Sequence, residues 1–140
     1  MKLAERGFSL VEMAIVVVVM GLVLAFSVPT MMNMSASQQL KGATENFAVQ
    51  MRLAREKAIA TSVQQPMRIV STTQYQIVPA SGIASTWTLP RGITIVSGTN
   101  VSYRMGADGH CDNSGLVVFR NARGLQDTVS IQVSGLVFAQ

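Results

Sequence analysis

The chain carries one long apolar segment close to its N-terminus, and this segment limits the folds open to it. Between Phe8 and Val28 the only strongly polar side chain is that of Glu12. A helix of these residues is about 31 Å long, which is enough to cross the hydrocarbon core of a bilayer. We therefore predict a membrane helix, and Lys2 and Arg6 ahead of it predict a cytoplasmic N-terminus.

Three other uses of the apolar segment are open at this point. A secretory signal peptide has a shorter apolar core and a small-residue cleavage site, which Ser35-Ala36-Ser37 resembles only weakly. A plain membrane anchor fits the length but leaves Glu12 unexplained. A buried soluble helix fits poorly, because little else in the chain is available to cover it on all sides.

Glu12 is the residue that most needs an explanation. A carboxylate at the centre of a membrane helix costs about 3 kcal/mol on insertion scales, and such residues are usually paired. Cleavage between Gly7 and Phe8 would create an amino group one turn before Glu12, and a neighbouring subunit would offer the same amine. The alternative is a carboxylate at the edge of the membrane, solvated by headgroups.

The stretch Arg6-Gly7-Phe8-Ser9-Leu10-Val11-Glu12 resembles the leader junction of type IV pilins and type II secretion pseudopilins. The resemblance implies that a prepilin peptidase cuts after Gly7 and methylates the new Phe8 amine. It also implies that Glu12 pairs with a Phe8 amine during assembly, and that Pro29 stands where this family often has a helix-kinking proline. Proline does disrupt helices, although Pro29 is also consistent with a simple membrane exit.

Beyond Pro29 the sequence becomes amphipathic, and it predicts one helix from about Phe8 to Thr61, bent near Pro29. Apolar residues recur at three- and four-residue steps. We expect this stripe to pack on a sheet, with a coiled-coil partner as the alternative. The end of the helix, Arg52 to Ile59, resembles the helix end of the GspH/FimT branch, where a similar L-x-x-A-R-x-x-A-I pattern precedes the first strand. The stripe consists of Ala36, Leu40, Ala43, Phe47, Met51, Ala54 and Ala58.

The remainder of the chain is predicted to form short antiparallel strands. Gln65-Pro66 is expected to break the helix, and turn signals separate the apolar runs that follow. The closing strands, with a Gly turn at Gly124, again resemble the GspH/FimT branch. The predicted strands are Met67–Val70, Tyr75–Val78, Thr86–Leu89, Ile93–Val96, Val101–Met105, Leu116–Arg120, Thr128–Val133 and Leu136–Phe138.

These patterns together predict an α+β, pilin-like fold: a long N-terminal helix, half transmembrane and half amphipathic, packed on antiparallel β-sheets. The expected organisation is a cleaved leader (1–7), a transmembrane and assembly helix (8–29), an amphipathic helix (30–63) and a β-rich domain (64–140). The resemblance implies a single-pass protein of the bacterial inner membrane with a periplasmic C-terminal domain. After assembly, the whole subunit would lie in a periplasmic or surface filament.

The resemblance implies a minor pseudopilin or minor pilin that serves assembly near a filament tip. Its partners would be other pilin subunits, the prepilin peptidase, the inner-membrane assembly platform and, before assembly, membrane lipid. Two alternatives stay open. One is a DNA-binding minor pilin for uptake, with Arg120 and Arg123 contacting nucleic acid. The other is a major, fibre-forming pilin, which the absence of a cysteine pair near the C-terminus disfavours.

The sequence predicts neither catalysis nor a cofactor. We find no phosphate-binding glycine loop and no nucleophile motif. His110 and Cys111 are the only residues of their types, so no disulfide can form within the chain. The loop from Asp108 to Asn113 contains metal-ligand residue types but no second cluster and no complete calcium motif, so we expect no metal site.

Overall fold

The computed structural model describes residues 9–79, 82–97 and 101–140, with the side chains of 27–33 not described. One helix, α1, spans Leu10–Thr61, and eight strands follow it. They are β1 (Gln65–Ser71), β2 (Gln74–Ile77), β3 (Ser85–Thr88), β4 (Ile93–Ile95), β5 (Ser102–Met105), β6 (Gly115–Asn121), β7 (Gln126–Ile131) and β8 (Val137–Ala139). The α+β prediction is confirmed, and each predicted strand lies within two residues of an observed one.

The chain divides into two compact units, residues 1–35 and residues 36–140. In the described part of the first unit, α1 exposes its large apolar side chains, from Leu10 to Phe26. Among the described residues, no helix combines the length and the mean hydropathy that a membrane crossing requires. The predicted span 8–29 begins and ends in residues whose placement or side chains lie outside the described set.

The helical stripe predicted from the sequence lies in the core of the second unit. Leu40, Ala43, Phe47, Met51, Ala54 and Ala58 are all buried, and Ala36 is half-buried. Thr44 is buried beside them, and its hydroxyl donates to the carbonyl of Leu40 at 2.9 Å. Because small alanines alternate with large side chains, the helix lies close against the sheets.

Two four-stranded antiparallel sheets cover this helical face. The first sheet has the order β3-β2-β1-β5 and the second has the order β4-β6-β7-β8. Phe47 joins both sheets to α1, because its ring packs edge-on against Tyr75 of the first sheet at 5.0 Å and against Phe119 of the second at 5.3 Å. The expected packing of the stripe on sheet is confirmed.

The boundary between helix and strands differs from the prediction at Gln65-Pro66. The helix ends at Thr61, and Ser62 adopts a positive φ of 54°, a conformation typical of helix C-termini. Gln65 and Pro66 belong to β1, where the carbonyl of Pro66 accepts from the Val78 amide at 2.9 Å. Proline is tolerated near the start of a strand. Because the helix has already ended at Thr61, Pro66 is not the residue that ends it.

Candidate functional site

The described structure begins just after the predicted processing junction. Gly7 and Phe8 lie outside the described residues, and helical hydrogen bonding begins with the Met13 amide donating to the Ser9 carbonyl at 3.2 Å. Glu12 lies exposed in the first turn of α1. Among the described residues it has no ion-pair partner. Its carboxylate is therefore accessible to a group from outside this part of the chain.

Pro29 lies within the bounds of α1. Its side chain lies outside the described residues, and so does the predicted bend. The kink at Pro29 therefore stays a prediction.

Arg120 and Arg123 lie at one end of the second sheet, on either side of the β6–β7 turn that the sequence predicted. Both are exposed. Asn121 holds the turn, because its Oδ1 accepts from the amides of Arg123 and Leu125 at 3.0 Å each. When the side-chain amide of Gln126 turns its oxygen toward Arg120, that oxygen accepts a hydrogen bond from Arg120 Nε at 3.1 Å.

The strand register adds a third arginine to this end of the sheet. Ile93 of β4 lies opposite Asn121 of β6, and a Cβ on Gly92 would stand 3.7 Å from the Cβ of Ala122. The exposed Arg91 precedes Gly92 and so lies beside the same turn. Sequence reasoning did not place Arg91 beside this turn, because the pairing of β4 with β6 is not visible in the sequence.

The loop from Asp108 to Asn113 is organised by its own side chains. Asp108 accepts from the His110 amide at 3.1 Å and lies 3.3 Å from the His110 imidazole. Asp112 accepts from the Arg104 amide at 2.8 Å. Cys111 is buried, and burial raises the pKa of its thiol. Within the described parts of the chain, no three His, Cys, Asp or Glu residues are grouped as a metal ion would require.

Two arginines near the end of α1 have a role that sequence reasoning missed. Arg52 donates from Nε and Nη2 to the carbonyl of Val137, at 3.3 Å and 2.9 Å. Arg55 donates from Nε to the carbonyl of Gly109 at 2.8 Å. The two guanidiniums therefore join the helix to β8 and to the loop that contains Gly109, both far away in sequence. The signal was present in the stretch Arg52 to Ile59, where Arg52 and Arg55 directly follow the buried residues Met51 and Ala54.

Comparison with known proteins combines two findings. The family model of the prokaryotic N-terminal methylation motif matches residues 2–28. The fold matches the minor pseudopilin EpsH from the type 2 secretion system of Vibrio cholerae, with a TM-score of 0.61 and 14% identity over 73% of this chain and 96% of that one. This chain combines an N-terminal methylation motif with a pilin-like fold.

A second solved structure agrees with this assignment of the fold. The type IV minor pilin FimU of Pseudomonas aeruginosa matches this pilin-like chain with a TM-score of 0.61 and 15% identity, over 74% of this chain and 90% of FimU. No curated protein matches the sequence significantly. At such low identities the structural matches establish the fold, while the prepilin-type N-terminus rests on the sequence motif.

Proposed function

We propose that the chain is a minor pilin or minor pseudopilin, a structural subunit in the assembly of a type IV pilus or a type II secretion pseudopilus. One observation supports this proposal: the chain has both a prepilin methylation motif at residues 2–28 and the fold of EpsH and FimU. Both of those proteins are minor subunits, which favours a tip or priming role. The proposal includes no enzymatic activity.

In this proposal, residues 1–7 are a leader that the prepilin peptidase removes. The enzyme cuts after Gly7 and methylates the amine of Phe8. Residues 8–29 hold the subunit in the inner membrane, with Lys2 and Arg6 on the cytoplasmic side and the β-domain in the periplasm. The assembly platform then transfers the subunit from the bilayer to the filament.

Glu12 directs the transfer in this scheme. Its exposed carboxylate is unfavourable in lipid and gains a partner when the Phe8 amine of a neighbouring subunit comes within reach. The exposed apolar surface from Leu10 to Phe26 then exchanges lipid for neighbouring helices. A bend at Pro29 would let the helix follow the curvature of a fibre core.

The mature N-terminus tests the processing step. Mass spectrometry of the chain from cells with and without prepilin peptidase should give a methylated Phe8 terminus only when the enzyme is present. A chain cut near Ser37, or a full-length chain in both strains, would remove the pilin interpretation.

Glu12→Gln tests the assembly step. We expect this variant to be processed normally but to be lost from sheared filaments. Glu45→Gln is the matched control, because Glu45 is also exposed on α1 but lies in the second unit. Normal incorporation of Glu12→Gln would reject the pairing role.

The abundance of the unmodified chain in sheared filaments tests whether it is a minor subunit. An abundance equal to that of the main fibre protein would instead indicate a major subunit.

A second candidate function is DNA binding, and the grouping of Arg91, Arg120 and Arg123 favours it. Arginines on one sheet end contact phosphates without reading sequence, and each lost phosphate contact lowers the salt dependence of binding. Arg120→Gln with Arg123→Gln should weaken salt-sensitive binding to duplex DNA. The control is Arg68→Gln, on an exposed position of β1. An equal effect of the control would reject a specific DNA site.

A further inference from the structure

The β6–β7 turn lies at the end of the second unit where α1 enters it. Asn121, the last residue of β6, is buried and donates from Nδ2 to the carbonyl oxygen of Ala36 at 3.5 Å. Ala36 is the first residue of the second unit. The side chain that holds the turn therefore also attaches the turn to the beginning of this unit.

Four basic side chains lie at this end of the second unit, and together they are called the basic cluster. Arg120 and Arg123 flank the turn, and Arg91 lies beside it. Lys41 follows Ala36 on α1 at a distance of about 7.5 Å along the helix axis. All four are exposed, and none has an ion-pair partner among the residues that the structure describes.

The carboxylates of the second unit leave this positive charge largely uncompensated. Asp127 is the closest to the turn in sequence, and it lies opposite Phe119 in the β6–β7 register. Because side chains alternate between the faces of a strand, Asp127 shares the face of the buried Phe119, and Arg120 lies on the other face. The remaining described carboxylates of the unit lie further along it: Glu45 and Glu56 on α1, and Asp108 and Asp112 in the loop that Arg55 holds.

The covalent connection limits how far this end can lie from a membrane. As part of the continuous helix α1, the residues from Val28 to Ala36 span about 12 Å. A headgroup layer is about 5–8 Å thick, and charges in physiological salt interact over about 8 Å. If residues 8–29 cross a bilayer, as the proposed function requires, the basic cluster is within reach of headgroup phosphates.

We propose that the basic cluster binds the anionic headgroups of the membrane that holds the subunit, on the side opposite its N-terminus. Guanidinium groups form charge-assisted hydrogen bonds with phosphate oxygens. Each Lys or Arg near an anionic surface strengthens binding by about fivefold. Binding keeps the β6–β7 turn at the lipid surface before assembly and has to be released when the subunit enters a filament.

The position of the basic cluster favours lipid over nucleic acid. The chain itself connects the cluster to the membrane through Ala36, whereas DNA has to be captured from solution. The proposal rests on the membrane insertion of the proposed function, so the experiment measures insertion separately.

The full chain in lipid vesicles tests the proposal. One set of vesicles contains phosphatidylcholine alone, and the other contains phosphatidylglycerol as well. A donor dye on Ala122→Cys reports the distance from the turn to an acceptor dye on the headgroups, because Ala122 is exposed and the native Cys111 is buried. We expect more energy transfer in the anionic vesicles, and the difference should disappear at about 1 M salt, where the screening length falls to about 3 Å.

Two double variants with the same change in net charge show whether the basic cluster is responsible. Arg120→Gln with Arg123→Gln should lower the ratio of surface-bound to free turn by about 25-fold. Lys57→Gln with Arg68→Gln removes the same charge from exposed positions outside the cluster and should leave the ratio nearly unchanged. All four side chains are exposed, so neither variant should lower the unfolding temperature.

Resistance to alkaline carbonate extraction measures membrane insertion. A chain that carbonate removes from the vesicles would overturn the membrane step of the proposed function and this inference with it. A retained chain with equal energy transfer in both lipids would overturn this inference alone, and so would equal losses in the two double variants. If lipid has no effect but Arg120→Gln with Arg123→Gln weakens binding to duplex DNA, the basic cluster is a DNA site and the lipid proposal is rejected.

Discussion

Replacing Gly135 by alanine tests how the C-terminal loops are joined to the helix. Gly135 has a φ of 77°, and a Cβ there would overlap the carbonyl oxygen of Gly109 and stand 2.7 Å from Nε of Arg55. That carbonyl is the acceptor of the 2.8 Å hydrogen bond from Arg55. The methyl group therefore has no room unless this bond breaks or the loop moves.

The matched control is Gly124→Ala. Gly124 has a similar φ of 83°, but a Cβ there meets nothing within 4 Å. Both substitutions carry the strain of a left-handed residue, about 1–2 kcal/mol, partly offset by the lower entropy of the unfolded chain, about 0.4–1 kcal/mol. Only Gly135→Ala also loses a charged hydrogen bond, which contributes about 1.5–3 kcal/mol.

We therefore expect Gly124→Ala to lower the free energy of unfolding by about 1 kcal/mol and Gly135→Ala by about 3 kcal/mol. Urea denaturation of the full chain in detergent micelles, followed by the fluorescence of Trp87, measures both values. The difference between the two variants isolates the steric contribution. Equal losses would refute the reasoning, because they would show that backbone strain alone accounts for both.

Three further predictions concern the β-domain. Phe47→Ala should lower the free energy of unfolding by about 3–5 kcal/mol, because Phe47 is fully buried between both sheets, whereas Val49→Ala on the exposed side should cost much less. Arg52→Met should cost about 1.5–3 kcal/mol through the lost hydrogen bonds to the C-terminal strand. Burial raises the pKa of Tyr75 to about 12 and also raises the pKa of the Cys111 thiol. Both groups therefore lose their protons more readily in the unfolded chain than in the folded one. The free energy of unfolding should fall as the pH rises above about 9 toward 12.

Denaturation midpoints measured between pH 7 and pH 11 test the predicted loss of stability at alkaline pH. The variant Tyr75→Phe should make the midpoint fall less steeply with rising pH. A midpoint that rises with pH would contradict the assigned direction. For the core, equal effects of Phe47→Ala and Val49→Ala would contradict the placement of Phe47. For the helix end, an unchanged stability of Arg52→Met would show that the two hydrogen bonds contribute nothing net.

Much of this architecture was readable from local patterns. The buried stripe from Leu40 to Ala58 follows the helical period, and that period depends only on the geometry of one segment. The eight strands follow apolar runs bounded by turn residues, which are also local signals. The prediction that Gln65-Pro66 breaks the helix was wrong, because the helix has already ended at Thr61 and proline is allowed near the start of a strand.

The sequence by itself determined the helix, the strands and the N-terminal methylation motif, because each depends on neighbours within a few residues. Only the tertiary structure decided the order of strands in the two sheets, since pairing joins segments far apart in the chain. The same long-range pairing brings Arg91 beside the turn of Arg120 and Arg123. It also places Arg55 on the carbonyl of Gly109, 54 residues away, because a side chain's partners depend on which segments fold back against it.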